Sequence, residues 1–207
     1  STYLRNAMGI SAPMAFQGIL MGIAQVVSTM IVAPLGNIAI AANTFAITVE
    51  SLCYMPGYGI GEAATTLVGQ SIGAGRRNLC RSFAAMSISS GMVVMALMGV
   101  IMYVFAPEMM GLLTPVADIK ANGAAALRIE AFAEPLFAAS IIGYSVCVGA
   151  GDTKVPALMN LFSMWMVRLS LAALLAPSYG LQGVWFAMAC ELAVRGLIFI
   201  WRVWRKI

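Results

Sequence analysis

Residues 6–49 read NAMGISAPMAFQGILMGIAQVVSTMIVAPLGNIAIAANTFAITV and contain no charged side chain. A helix needs about 20 largely apolar residues to cross the hydrocarbon core of a bilayer, so this stretch is long enough for nearly two crossings. The turn sequence APLGN at 33–37 interrupts it, because proline and glycine break a helix there. We therefore predict one membrane-spanning helix at 11–33 and a second at 38–70.

The same hydropathy pattern predicts further spanning helices along the rest of the chain. Their expected ranges are 82–106, 121–148, 155–176 and 181–203. Pro56 is predicted to kink the second helix, since proline removes a backbone hydrogen bond. Pro107 to Lys120 is predicted to be a connection with an interfacial turn at 109–113. The predicted fold class is all-α: residues 1–207 form one polytopic bundle of six transmembrane helices.

The composition is that of an integral membrane protein and excludes several classes of function. Of the 207 residues, 61% are hydrophobic and 10% are charged, whereas a soluble domain carries about a quarter charged residues. The absence of histidine removes the usual base of Ser-His and Cys-His nucleophiles. The four cysteines show no metal-binding spacing, and the net charge of +4 is too scattered for a nucleic-acid surface. We therefore predict no enzyme, no catalytic residue, no cofactor and no resident metal site.

The cations are distributed unequally between the two ends of the predicted helices. Eight lie at one set of ends: Arg5, Arg76, Arg77, Arg81, Lys154, Arg202, Arg205 and Lys206. The opposite set holds only Lys120. The positive-inside rule then predicts that both termini face the cytoplasm, in a multi-pass protein of the cytoplasmic (inner or plasma) membrane. Because the sequence starts at Ser1 without an initiator methionine, we expect it to be part of a longer chain.

Charged residues inside the predicted spans are the leading candidates for function. A charge in hydrocarbon costs about 2.5–3.5 kcal/mol even on permissive scales, so each needs a partner or an aqueous cavity. Glu50 has no basic residue within a helical turn, which favours a cation or proton site lining a cavity over a simply protonated carboxyl group or a partner arginine on another helix. Glu191 and Arg195 are four residues apart and are predicted to form a structural ion pair within one helix.

Two interpretations remain open for the other polar residues of the spans. Arg168 either neutralises Glu130 or Glu134 on a neighbouring helix or lines the cavity. Gln17, Asn43 and Asn160 either bridge helices by hydrogen bonds or line the same cavity.

Several motifs, taken in order along the chain, resemble the MATE (multidrug and toxic compound extrusion) family. They are APLG at 33–36, VESLCYMP at 49–56, TLVGQSIGAG at 66–75, GAGDTKVP at 149–156, WMVRL at 165–169 and GLQGVW at 180–185. The resemblance implies a twelve-helix antiporter built of two six-helix lobes, which expels organic cations and amphipathic compounds in exchange for Na⁺ or H⁺. This chain would then be the C-terminal lobe, with an N-terminal six-helix lobe as its partner.

The chain departs from the sodium-coupled branch of that family at two positions. By alignment on the motifs, Met21 and Phe137 stand where that branch has carboxylates. Glu134, about one turn from Phe137, is a candidate substitute. The resemblance therefore leaves the exchanged ion open between H⁺ and Na⁺.

Two other functions fit the sequence less well. A flippase for lipid-linked oligosaccharides, from the same superfamily, would need more cations in its cavity to hold a pyrophosphate. An independent six-helix membrane protein acting as a homodimer would require that the chain has no fused second lobe.

Overall fold

The computed structural model describes residues 1–207, and the chain is helical throughout. Its helices, numbered in chain order, are α1 (Thr2–Val32), α2 (Asn37–Gly73), α3 (Arg77–Leu113), α4 (Ala117–Ala131), α5 (Glu134–Gly149), α6 (Lys154–Phe162), α7 (Leu169–Tyr179) and α8 (Leu181–Lys206). A 3₁₀ turn, Ala33–Leu35, follows α1, and a π-helical segment, Ser163–Arg168, joins α6 to α7.

Five helical segments are long and apolar enough to cross a membrane, and the bent pair α4 and α5 brings the number to six. The first turn of the chain lies where the sequence predicts it: Gly36, with φ +104°, separates the 3₁₀ turn from α2. A side chain is strained at such a backbone angle, so glycine suits this position. The predicted all-α membrane fold is confirmed.

The predicted helix at 121–148 is wrong as a continuous element. It divides at Phe132 and Ala133 into α4 and α5, whose axes differ by 62°. Pro135 occupies the first turn of α5, where a backbone N–H would have no partner within the helix, so proline suits this position. At the end of α4, the Ala133 N–H donates to the Glu130 carbonyl at 2.9 Å. The break therefore lies between Glu130, near the end of α4, and Glu134, at the start of α5.

One further expectation, about the end of the third helix, needs correction. The segment expected to contain an interfacial turn is instead the end of α3, which continues through Pro107 to Leu113. Met110 is fully buried and packs against Gly123, so tertiary packing extends the helix. The helix α2 runs through Pro56 without interruption, and Gly61 brings it close to Ser145 of α5.

The bundle has a packed centre and a loosely attached flank. The helix α5 lies against α2, α3 and α8, whereas α1 packs mainly on α6 and α7. Only Ala24 and Val32 of α1 are buried. A cavity lies where this flank meets α2, α5 and α8, and it contains the charged residues of interest.

Candidate functional site

The cavity has a volume of about 310 Å³ and receives side chains from α1, α2, α5, the π-helical segment and α8. That size is at the lower end of the range for pockets that hold drug-sized molecules, about 300–1,000 Å³. Its lining residues are Met21, Gln25, Ser28, Thr29, Asn43, Ile47, Glu50, Tyr54, Tyr58, Phe137, Arg168, Val184, Trp185, Met188, Leu192 and Arg195.

An acidic cluster borders one side of the cavity. Glu50, Glu130 and Glu134 each contribute a carboxylate oxygen, and these oxygens all lie within 4.8 Å of one another. Glu50 is 5% exposed, and the other two are fully buried. Both carboxylate oxygens of Glu130 and of Glu134 lack a hydrogen-bond partner, and none of the three residues forms an ion pair.

Three buried carboxyl groups at this separation need protons or a bound cation to offset their mutual repulsion. Oxygen ligands are also what Na⁺ and other hard cations require. The sequence predicts a cation or proton site at Glu50, and the folded chain places Glu130 and Glu134 beside it, so three oxygen-bearing side chains could hold a cation. Glu130 is absent from the predicted cavity residues. The sequence shows the four-residue spacing of Glu130 and Glu134, but it does not show the bend between α4 and α5 that brings both residues close to Glu50.

A group of alternating charges also borders the cavity, through Arg168 and Arg195. Within α8, Glu191 Oε1 accepts from Arg195 Nε at 2.7 Å and lies 2.5 Å from Arg195 Nη2, so the expected in-helix ion pair forms. Arg168 does not pair with Glu130 or Glu134 as one interpretation required. Its Nη2 atom lies 3.2 Å from Glu191 Oε2, so a single carboxylate is shared by two guanidinium groups.

The uncharged polar candidates behave differently from one another. Asn43 lines the cavity and also bridges helices, because its Oδ1 atom accepts from Trp185 Nε1 at 3.0 Å. Asn160 is buried in α6 outside the cavity lining. Gln17, in α1, also lies outside it and has a buried Oε1 atom without a partner.

Aromatic side chains contribute flat apolar surface that sequence analysis overlooked. Tyr54 makes edge-to-face contacts with Tyr58 and Phe137, with ring centroids 5.4 Å apart in each pair. Phe137 and Met21, the two positions that depart from the sodium-coupled branch, both line the cavity. The four-residue spacing of Tyr54 and Tyr58 places both rings on one face of a helix, and this spacing could have identified them from the sequence.

A larger cavity of about 600 Å³ lies at the ends of the helices, near Arg77, Asp152 and Lys206. Asp152, which lines this cavity, forms a partly exposed ion pair with Arg202, with Oδ2 and Nη2 2.6 Å apart. The smaller cavity is the better candidate functional site because it borders the buried charged residues. Charged residues inside a membrane-spanning segment cost free energy and therefore mark functional sites.

Comparisons with known proteins agree with this architecture. The MatE family model matches residues 13–174. The chain is 26% identical over 206 residues to the uncharacterized transporter YisQ of Bacillus subtilis, covering 99% of this chain and 45% of that protein. It is 29% identical over 179 residues to the probable multidrug resistance protein NorM of Brucella suis, covering 83% of this chain and 38% of NorM.

A solved structure shows the same fold. The bent form of the Vibrio cholerae MATE transporter VcmN superposes with a TM-score of 0.89 at 18% identity, covering 96% of this chain and 45% of VcmN. The chain thus spans less than half the length of each of these relatives.

Proposed function

Because the chain belongs to the MatE family, whose members are transporters and not enzymes, we propose that it forms one lobe of a secondary active antiporter. The lobe exports organic cations or amphipathic drugs in exchange for H⁺ or Na⁺. The observation that carries this proposal is the unpartnered carboxyl cluster of Glu50, Glu130 and Glu134 beside an aromatic cavity.

The proposed architecture pairs this lobe with a second one. The matched relatives are about twice as long as this chain, so we propose that these residues are the C-terminal six-helix lobe and that an N-terminal six-helix lobe precedes them in the same polypeptide. The exposed face of α1 supports this arrangement, since Phe16, Ile19 and Val26 are each about 60% exposed. We place the assembled protein in the cytoplasmic membrane with both ends of this lobe facing the cytoplasm.

In the proposed exchange, the coupling ion and the organic cation compete for the negative charge of Glu50. Glu50 reaches the cavity, whereas Glu130 and Glu134 stand behind it. Entry of H⁺ or Na⁺ into the cluster neutralises Glu50 and removes its attraction for an organic cation, which then leaves. Rocking of this lobe against its partner exposes the cavity to alternate sides of the membrane, as in other paired-repeat transporters.

Dye uptake into everted vesicles that contain the full-length protein tests the proposal, because the cytoplasmic face is outside and uptake then measures efflux from the cytoplasm. A cationic dye such as ethidium is added outside the vesicles, and an outward H⁺ or Na⁺ gradient is imposed separately. Glu50→Gln should lower the efflux rate about tenfold, the effect of losing about 1.4 kcal/mol of charge interaction. Glu62→Gln is the matched control, because Glu62 lies on the same helix but is exposed and outside the cavity. Wild-type efflux by Glu50→Gln would remove the carboxyl cluster from the mechanism.

A further inference from the structure

A groove between α3 and α8 forms a separate site on the surface of the bundle. It has a volume of about 460 Å³ and shares no lining residue with the cavity that contains Glu50. Its α3 side begins at Arg81 and ends at Ser89, eight residues or about 12 Å farther along the helix. That length is close to half of the hydrocarbon core, about 15 Å, which is the thickness that one leaflet supplies.

The lining between these two ends is largely apolar. The helix α3 contributes Ala84, Ala85 and Ile88, and α8 contributes Ile200 and Val203. The two alanines add little bulk to the surface of α3, which leaves space along the helix for a hydrocarbon chain.

Arg81 supplies a positive charge at one end of the groove. Its Nε atom donates to the Ile207 carbonyl oxygen, which holds the guanidinium group beside the apolar lining. A guanidinium group has five N–H donors, so four remain on the Nη atoms. No acidic side chain pairs with Arg81.

The positive charge continues beyond the groove. Ile207 also lines the adjoining cavity of about 600 Å³, which contains Arg77 and Lys206. The acidic residue of that cavity, Asp152, is already paired with Arg202. The cations at this end of the groove therefore lack carboxylate partners and favour an anionic ligand.

Two tryptophans of α8 indicate the depth of the groove in the membrane. Trp204 lines the groove and is 86% exposed. The Trp201 ring centroid lies 5.1 Å from the Arg205 Cζ atom. Tryptophan is enriched at the level of the lipid headgroups. The cationic end of the groove therefore lies at the headgroups, and the apolar end points into the hydrocarbon.

We propose that this groove binds an anionic phospholipid, whose phosphate contacts Arg81 and one of whose acyl chains lies between α3 and α8. The rest of the headgroup extends toward Arg77 and Lys206 in the adjoining cavity. A guanidinium group binds a phosphate through charge-assisted N–H donors. A water-soluble anion would leave the apolar lining uncovered, and a lipid without net charge would leave the excess cations without a counter-ion.

Native mass spectrometry of the full-length protein in detergent tests the site. The protein is titrated separately with dioleoyl-phosphatidylglycerol and dioleoyl-phosphatidylcholine, which have the same acyl chains and a phosphate but differ in net charge. The intensity of the first lipid adduct gives the dissociation constant of each lipid. We expect wild-type protein to bind the phosphatidylglycerol at least about fivefold more tightly.

Substitution of Arg81 tests the contact with the phosphate. Arg81→Gln should weaken the phosphatidylglycerol about fivefold, the usual effect of one basic residue, and leave the phosphatidylcholine within about twofold of wild type. Arg5→Gln is the matched control, because Arg5 is exposed at the same set of helix ends but belongs to α1 and lies outside the groove. Arg81→Lys keeps the charge for the case in which Arg81→Gln does not fold, and it should keep the preference for phosphatidylglycerol.

Filling the groove tests the contact with the acyl chain. Ala85→Phe should weaken both lipids about fivefold, because its ring takes about 40 Å² of the apolar surface that the chain covers. Met86→Phe is the matched control, since Met86 is the next residue of α3 and is 66% exposed outside the groove lining. It should change neither dissociation constant.

Several outcomes would overturn the proposal. Equal affinity of wild-type protein for the two lipids would do so, as would equal losses from Arg5→Gln and Arg81→Gln, because non-specific attraction acts at both positions. If Ala85→Phe kept wild-type lipid binding but lowered the thermal midpoint, a protein segment and not an acyl chain would occupy the groove. Displacement of the phosphatidylglycerol by an equal concentration of glycerol phosphate would show an anion site without a lipid chain. These measurements follow lipid binding alone, so they are independent of the proposed transport function.

Discussion

Replacing Glu191 by glutamine should destabilise the protein rather than act mainly on transport. The carboxylate is fully buried and lies 2.5 Å from Arg195 and 3.2 Å from Arg168, so its loss leaves two guanidinium groups without a counter-ion. Breaking a buried ion pair costs about 3–5 kcal/mol. Glutamine keeps one acceptor oxygen, and we therefore expect the lower limit, about 3 kcal/mol. At about 2 °C per kcal/mol, the thermal midpoint should fall by about 6 °C.

Fluorescence-detected size-exclusion chromatography after stepwise heating measures this midpoint for the full-length protein. Asp152→Asn is the matched control, because it breaks the Asp152–Arg202 pair, whose side chains are 28% and 13% exposed. A pair that water reaches contributes about 0–1 kcal/mol, so the control should lose less than about 2 °C. If Glu191→Gln kept the wild-type midpoint and lost transport instead, Glu191 would be part of the transport machinery and the structural assignment would be wrong.

Two further changes probe packing and the carboxyl cluster. Gly149→Ala should lower the free energy of unfolding by about 1–3 kcal/mol, because the added methyl group would lie 2.5 Å from the Thr65 carbonyl oxygen. The thermal midpoint measures this loss, and Gly59→Ala, with open space around it, is the control that should be neutral. Equal effects of the two substitutions would contradict the packing argument. Glu130→Gln should raise the H⁺ or Na⁺ concentration needed for half-maximal efflux, because one of three oxygen-bearing groups loses its charge. An unchanged ion dependence would exclude Glu130 from the coupling site.

The features that sequence analysis predicted correctly depend on short-range patterns. Long apolar stretches without charge identify membrane-spanning helices, and the APLG turn at 33–36 ends the first of them. The contact of Glu191 with Arg195 was predictable because helical geometry alone places residues four apart on one face. Such features need no knowledge of which helices are neighbours.

The features that were missed depend on how helices pack. Nothing in the local pattern states that Arg168 meets Glu191 rather than Glu130, since that choice follows from the neighbouring positions of the π-helical segment and α8. The bend after α4 was also missed, because residues 121–148 are apolar enough for one straight span. Without that bend, the grouping of Glu130 with Glu50 could not be foreseen.

Two irregular segments of the bundle lie beside three of its buried charged residues, Glu130, Glu134 and Arg168. The break at Phe132 and Ala133 separates Glu130 from Glu134, and the π-helical segment ends at Arg168. Irregular backbone inside a membrane is tolerated where protein or a water-filled cavity covers it, and π-helical turns occur frequently at functional sites. The contact of Glu191 with Arg195 needs no such distortion, because both residues lie in the regular helix α8. The distorted positions are therefore those where we expect substitutions to alter ion coupling and substrate choice, while the regular pair should govern stability.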